Sequence, residues 1–92
     1  MPTYIALLRK DPDSDYGVDF PDFPGCTTVG RTLQEAMQLA AEALAGHIEV
    51  MAEFQEPIPE PASLEAITAD PANADAVPFL VTVPVPSPAT TA

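Results

Sequence analysis

Basic residues, cysteines and long apolar runs are all scarce in this sequence of 92 residues. Only three residues are Lys or Arg, against 14 Asp or Glu, and the formal net charge is −11. Such a charge repels phosphate backbones, which argues against direct nucleic-acid binding by this chain. The single cysteine excludes an internal disulfide and is typical of a reducing compartment. No apolar run approaches the roughly 18–20 residues of a membrane span, and the N-terminus lacks the charge order of a signal peptide. We therefore predict a cytoplasmic protein that does not bind membranes.

The charge imbalance has two interpretations. All three basic residues, Arg9, Lys10 and Arg31, lie in the first third of the chain, and nine acidic residues follow Arg31. Solubility alone would account for an acidic surface. The more specific hypothesis is a basic macromolecular partner, because complementary fields steer association and disfavour wrong partners.

Three short β-strands are predicted at the start of the chain. Residues 3–9 (TYIALLR) are apolar on both faces, as in a central strand that is buried on both sides. Residues 16–20 (YGVDF) alternate between apolar and small or charged side chains, and residues 26–30 (CTTVG) form a third strand. The short connections favour an antiparallel meander.

A long helix follows, from about residue 32 to about residue 53. Thr32 and Glu35 fit a capping box, in which each side chain accepts a hydrogen bond from an otherwise unpaired N–H of the first turn. Apolar residues then recur at helical spacing through Met51. Three alternating prolines in residues 55–63 (QEPIPEPAS) end the helix and impose an extended connection, after which Ser63 can cap a short turn.

The last predicted strand covers residues 77–85 (VPFLVTVPV). Its prolines, Pro78 and Pro84, share one parity, so both missing N–H groups point to the same side, which favours a free sheet edge. The order is therefore β-β-β-α-β, an α+β domain. We predict that the fourth strand lies beside the first and, because a helical crossover precedes it, runs parallel to a neighbour.

In this order, the segment YGVDFPDFPGCTTVGRTLQEAMQLAAEALAGHIE and the later EPIPEPAS and DAVPFLVTVPV resemble the HicB antitoxin family, over roughly residues 3 to 85. The resemblance implies a degenerate, partial RNase H-like fold of the HicB N-terminal type. It also implies binding to a small, basic HicA-type toxin that cleaves mRNA, and assembly into a homo-oligomer, either a dimer or a tetramer. Arg31 departs from the acidic residue that is more frequent there in the family.

Two functions from different classes remain open after this comparison. One is a module that neutralises the toxin by masking its RNA-binding or active-site surface. The other is a regulatory or oligomerisation domain that presents a C-terminal DNA-binding module absent from this chain. We assign residues 1–86 to the toxin-binding domain and residues 87–92 to a tail or a truncated linker.

The candidate partner-binding site is the corner FPDFPG that follows the second strand. Proline fixes φ and glycine permits φ > 0, so the corner is preorganised and loses little entropy on binding. The candidate residues are Tyr16, Asp19, Phe20, Asp22 and Phe23: three aromatic side chains with two carboxylates beside them, the composition of an interaction hot spot. The simpler alternative is a turn whose aromatic rings belong to the core.

No catalytic residue, metal site, cofactor or small-molecule substrate is expected. Nucleases of the RNase H type hold Mg²⁺ with carboxylates from the first strand, the helix and the fourth strand, and neither residues 3–9 nor residues 77–85 contain an acid. We therefore predict a binding protein rather than an enzyme. His47 and Cys26 are interpreted as structural residues.

Overall fold

The computed structural model describes residues 2–83. Their elements are, in chain order, β1 (Thr3–Lys10), β2 (Tyr16–Asp19), β3 (Thr27–Gly30), α1 (Leu33–Glu53), α2 (Leu64–Thr68), a 3-10 turn (Pro71–Asn73) and β4 (Val77–Thr82). The predicted order of strands and helix is confirmed, and α2 begins at the predicted Ser63 cap. Pro84 and the tail or linker assigned to residues 87–92 lie outside the described residues.

The four strands form one sheet in the order β3-β2-β1-β4. β1 is interior and β4 is an edge strand, as the two-sided apolar pattern of β1 and the proline in β4 predict. Pro78 pairs with Leu7 in the register of β1 and β4. A proline can occupy this position because the outer side of an edge strand needs no donor.

The predicted direction of β4 is wrong, because β4 pairs with β1 in the antiparallel sense. The cause is the segment between α1 and β4. Its start lies at one end of β1, where the Tyr4 hydroxyl donates to the Pro59 carbonyl, and its later part lies at the other end, where Arg9 contacts Asn73. The segment therefore crosses the length of the sheet once more after α1 and turns the last strand around.

The sheet is covered on both faces, by different parts of the chain. α1 packs on one face and forms the main core with alternate strand residues; its fully buried members include Tyr4, Ala6, Leu44 and Ile48. On the other face, Ile67 of α2 packs on Ile5 and Leu7 of β1. This second layer explains why β1 is apolar on both parities.

The predicted cap of α1 is present, with one change of partner. The Thr32 hydroxyl accepts a hydrogen bond from the Glu35 N–H at 3.1 Å. The Glu35 carboxylate accepts from the N–H of Arg31 rather than from that of Thr32. Before the helix, β3 ends at Gly30, where an added Cβ would lie 2.4 Å from the Ala36 nitrogen. Only glycine allows β3 and α1 to approach this closely.

Candidate partner-binding surface

The corner between β2 and β3 is built from backbone hydrogen bonds and one glycine in the left-handed region. The Phe23 N–H donates to the Phe20 carbonyl at 3.0 Å, and the Cys26 N–H donates to the Phe23 carbonyl at 2.9 Å. Gly25 has φ of +90°, a conformation that L side chains rarely adopt. The predicted corner is therefore present as two successive tight turns, and its preorganisation for binding stays a prediction.

Both phenylalanines of the corner are buried. Phe20 is 2% exposed and Phe23 is 1% exposed. The Phe23 ring meets the rings of Tyr4 and His47 edge to face, with centroids 4.8 and 5.8 Å away. These rings contribute to the core, the simpler of the two roles considered for them, and direct contact of either ring with a partner stays a prediction.

Asp19 is paired within the chain. Its carboxylate accepts from the Arg9 guanidinium at 2.6 Å, and Arg9 also donates to the Asn73 side chain and the Ala72 carbonyl. The hydrogen bond to Asp19 raises the pKa of Arg9. Both side chains of the pair remain partly exposed. Arg9 thus joins the β1–β2 hairpin to the 3-10 turn and offsets the charge of Asp19.

Asp22 holds the proline-rich connection against the corner. Its carboxylate accepts a hydrogen bond from the Ala62 N–H at 3.1 Å. Together with the bond from Tyr4 to the Pro59 carbonyl, this contact attaches the segment of residues 55–63, which we call the strap, to the end of the sheet. Burial and the nearby charges of Asp22 and Glu60 raise the pKa of the Tyr4 phenol, so its hydroxyl remains a donor at neutral pH.

Tyr16 lies apart from Asp19, on the face of the sheet that α1 covers. It is partly buried against the main core, and the Lys10 ammonium lies 5.4 Å from its ring centroid. The five predicted residues therefore do not form one exposed cluster. Tyr16 and Asp19 lie on opposite faces, Asp22 is anchored to the strap, and the phenylalanines are buried. Their part in partner binding stays a prediction.

Cys26 and His47 pack where structural residues are expected. Cys26 is 4% exposed, and burial raises the pKa of its thiol.

Among residues 2–83, no group of three His, Cys, Asp or Glu side chains comes together in a way that could hold a metal ion. Within the same residues, no helix is both long enough and apolar enough to cross a membrane.

Two surface depressions are not indicated by any sequence motif. The first, about 350 Å³, lies between the corner and α1 and is lined by Gly25, Cys26, Thr27, Glu42, Ala43, Gly46, His47 and Val50. The second, about 200 Å³, lies beside the β4 edge and is lined by Ile5, Leu64, Pro78, Phe79 and Leu80. Each combines residues that are distant in sequence, so helical periodicity alone could not reveal them.

A comparison with known proteins identifies the class to which this fold belongs. Residues 4–91 match the family described as the HicB-like antitoxin of bacterial toxin–antitoxin systems. The chain belongs to this family.

Individual relatives agree with the family match. The chain is 44% identical over 80 residues to an uncharacterised 14.9 kDa protein of Haemophilus phage HP1, and 36% identical over 63 residues to the antitoxin HicB of Escherichia coli K12. These matches cover 87% and 68% of this chain, but only 57% and 46% of the relatives. The chain thus spans about half the length of these two relatives.

Solved structures have the same fold. The Burkholderia pseudomallei antitoxin HicB superposes with a TM-score of 0.82 at 36% identity, over 90% of this chain and 64% of that chain. The N-terminal domain of that antitoxin gives 0.76 at 32% identity, over 90% of this chain and 99% of the domain. A chain of a HicA3 and HicB3 toxin–antitoxin complex gives 0.72 at 26% identity, over 89% of this chain and 98% of that chain. The α+β class and the HicB N-terminal type are confirmed, whereas the relation to RNase H stays a prediction.

Proposed function

We propose that this chain is an antitoxin module that binds a small, basic HicA-type toxin and neutralises it by covering the surface that the toxin uses to bind and cleave mRNA. The observation that carries the proposal is the family match over residues 4–91. A similarly folded chain of the HicA3 and HicB3 complex supports a toxin as the partner.

The charge of the chain supports a basic partner. Of the three basic residues, Arg9 is already paired with Asp19, and Lys10 lies against Tyr16. Most of the 14 acidic residues are exposed, among them the three of the turn at residues 11–15. An acidic field of this size speeds association with a basic protein and repels RNA. Masking the toxin then requires complementary surfaces and no chemistry on the toxin.

The corner suits a binding role through its rigidity. Phe20 and Phe23 are fixed in the core, so the exposed Pro24 and Gly25 are held in one conformation before a partner arrives. A preorganised surface loses less conformational entropy on binding. Asp19 and Asp22 are half-buried beside this surface, and Tyr16 is half-buried at the other end of β2; in the proposal all three supply polar groups to the partner.

An RNA-cleavage assay tests the function. The neighbouring reading frames are searched for a small, basic, histidine-containing protein, and the chain is titrated into the cleavage reaction of that protein. We expect cleavage to stop near an equimolar ratio and the association rate to fall as salt rises, because salt screens exposed charges. Full cleavage in the presence of excess chain would overturn the proposal.

The role of the corner in toxin binding is tested separately with the double variant Asp19→Asn/Asp22→Asn. Asparagine keeps a side-chain oxygen as acceptor for Arg9 and for the Ala62 N–H, so this variant removes two charges and preserves the contacts. The matched control is Asp11→Asn/Asp13→Asn, which removes two exposed charges at the opposite end of the β1–β2 pair. We expect the corner variant to slow association more than the control does. Equal effects would place the contact surface elsewhere.

The second candidate function is a regulatory or oligomerisation domain that presents a DNA-binding module. The depression beside the β4 edge favours it, because its rim carries Leu64 and Leu80, 51% and 71% exposed, and its lining contains no charged residue. In a chain of net charge −11, two copies can approach at such a surface with the least repulsion.

Light scattering on wild type and Leu80→Asp tests whether this surface mediates self-association, and a toxin-neutralisation assay on the same variant tests whether neutralisation depends on it. Self-association through this surface predicts a dimer or tetramer for wild type and a monomer for the variant. If Leu80→Asp still neutralises the toxin as a monomer, oligomerisation is not needed for neutralisation. A wild-type monomer at tens of micromolar would count against the second candidate.

A further inference from the structure

The depression between the corner and α1, which we call the α1 groove, is lined by small and aliphatic residues together with Thr27, His47 and one carboxylate. Gly25 and Thr27 form one side, and Ala43, Gly46 and Val50 form the other. Val50 is 51% exposed although it is a large aliphatic residue. Glu42 also lines the groove and is exposed. A long aliphatic side chain that ends in a positive charge fits this combination.

Gly46 opens the groove at a cost to α1. It lies in the second half of a 21-residue helix, where glycine is unfavourable relative to alanine. A Cβ at this position would meet nothing within 4 Å, so no internal contact requires glycine. The lack of a side chain at Gly46 therefore leaves the groove open to a ligand and does not serve packing within the chain.

The acidic residues of α1 do not stabilise the isolated helix, and they suit a basic partner. Residues 33–53 contain no Lys or Arg. Glu35, Glu42 and Glu49 recur every seven residues and are all exposed, which places them along one side of the helix. The last turn contains Glu53 and no base, although acidic residues there interact unfavourably with the helix dipole. A basic partner along this side would relieve these interactions.

We propose that the α1 groove receives a lysine or arginine side chain of the toxin, with the aliphatic stem against Val50 and Ala43 and the cationic group at Glu42. This inference rests on the proposed function and names the contact through which the toxin is held. The corner takes part by forming the opposite wall of the groove with Gly25, rather than by exposing Phe20 or Phe23.

Filling the groove is the direct test. A Cβ at position 46 would meet nothing within 4 Å, and leucine is the better helix former, so we expect Gly46→Leu to fill the groove with thermal stability at least equal to that of wild type. Gly46→Ala adds only a methyl group and serves as the conservative variant. Gln38→Leu adds a leucine at an exposed position of α1 outside the groove, as the matched control.

The measurement is the dissociation constant for the toxin by calorimetry, together with toxin neutralisation and circular dichroism for each variant. We expect Gly46→Leu to weaken binding at least about tenfold, with Gly46→Ala in between and Gln38→Leu unchanged. Glu42→Gln should weaken binding more than Glu49→Gln, which removes an equal charge seven residues along the helix.

Failure of the inference is distinguishable from failure of the proposed function. If wild type neutralises the toxin and a folded Gly46→Leu binds it with unchanged affinity, the α1 groove is not the contact and the antitoxin function stands. If wild type does not bind the toxin, both are overturned. Equal losses for Gly46→Leu and Gln38→Leu would indicate a general effect of the leucine and would also count against the groove.

Discussion

Cys26 illustrates how a residue beside a candidate surface can belong to the interior. Its side chain is 4% exposed and burial raises the pKa of the thiol, so the reactive thiolate is both scarce and shielded. We predict that a thiol reagent such as Ellman's reagent labels native protein at least about tenfold more slowly than protein unfolded in urea. Equal rates would mean that the Cys26 thiol is as accessible in the native protein as in the unfolded chain.

The residue pattern predicts on which face of β2 Asp19 lies, but it does not predict that Asp19 pairs with Arg9. Alternation in residues 16–20 correctly separates Asp19 from Val18, which is buried under α1. In the observed register Arg9 is opposite Gly17, so Arg9 and Asp19 are diagonal neighbours on one face. The turn at residues 11–15 leaves that register open from sequence, and a slip of one residue would move Asp19 to the other face.

The burial of Phe20 and Phe23 does not follow from the local sequence of the corner. Clustered aromatic residues such as these occur both in exposed interaction hot spots and in buried cores. The contacts that decide between these roles come from Tyr4 and His47, which lie 19 and 24 residues away in the chain from Phe23. Local pattern cannot supply such contacts.

At the scale of elements, α1 begins where its cap predicts, and the cap can be tested. Thr32→Ala removes the acceptor for the Glu35 N–H and should lower the free energy of unfolding by about 1 kcal/mol, whereas Thr32→Ser should retain most of it. Urea denaturation of both variants measures the difference. A loss of the same size in Thr32→Ser would show that the hydroxyl is not the stabilising group.

The direction of β4 shows the limit of element-level reasoning. A helix that links two strands in one sheet ordinarily leaves them parallel, and this rule led to the wrong orientation. The connection here contains α2 and the 3-10 turn as a second crossing over the opposite face. Because α2 has only five residues, its sequence does not reveal that it covers a sheet. The neighbours of each strand, by contrast, followed correctly from the apolar pattern of β1 and the proline of β4.

For the whole molecule, the net charge of −11 predicts a stability that depends on salt. Repulsion among exposed carboxylates destabilises the folded state, and salt screens it over about 8–10 Å. We expect the melting temperature to rise between about 20 and 300 mM NaCl. The Arg9–Asp19 pair weakens over the same range, but a single partly exposed pair contributes about 1 kcal/mol or less. A falling melting temperature would show that attractive pairs dominate.

Hydrogen exchange in the strap can show how the layer that contains α2 separates from β1. The strap's alternating prolines at 57, 59 and 61 carry no amide proton, so hydrogen exchange reports on this segment only at the residues between and beside them. One of them is Ala62, whose amide donates to Asp22 at the point of attachment. If the layer that contains α2 lifts from β1 before the rest of the sheet unfolds, the Ala62 amide will exchange faster than the amides of β1 beneath it. The ratio of these two rates would then give the free energy that separates partial from global opening.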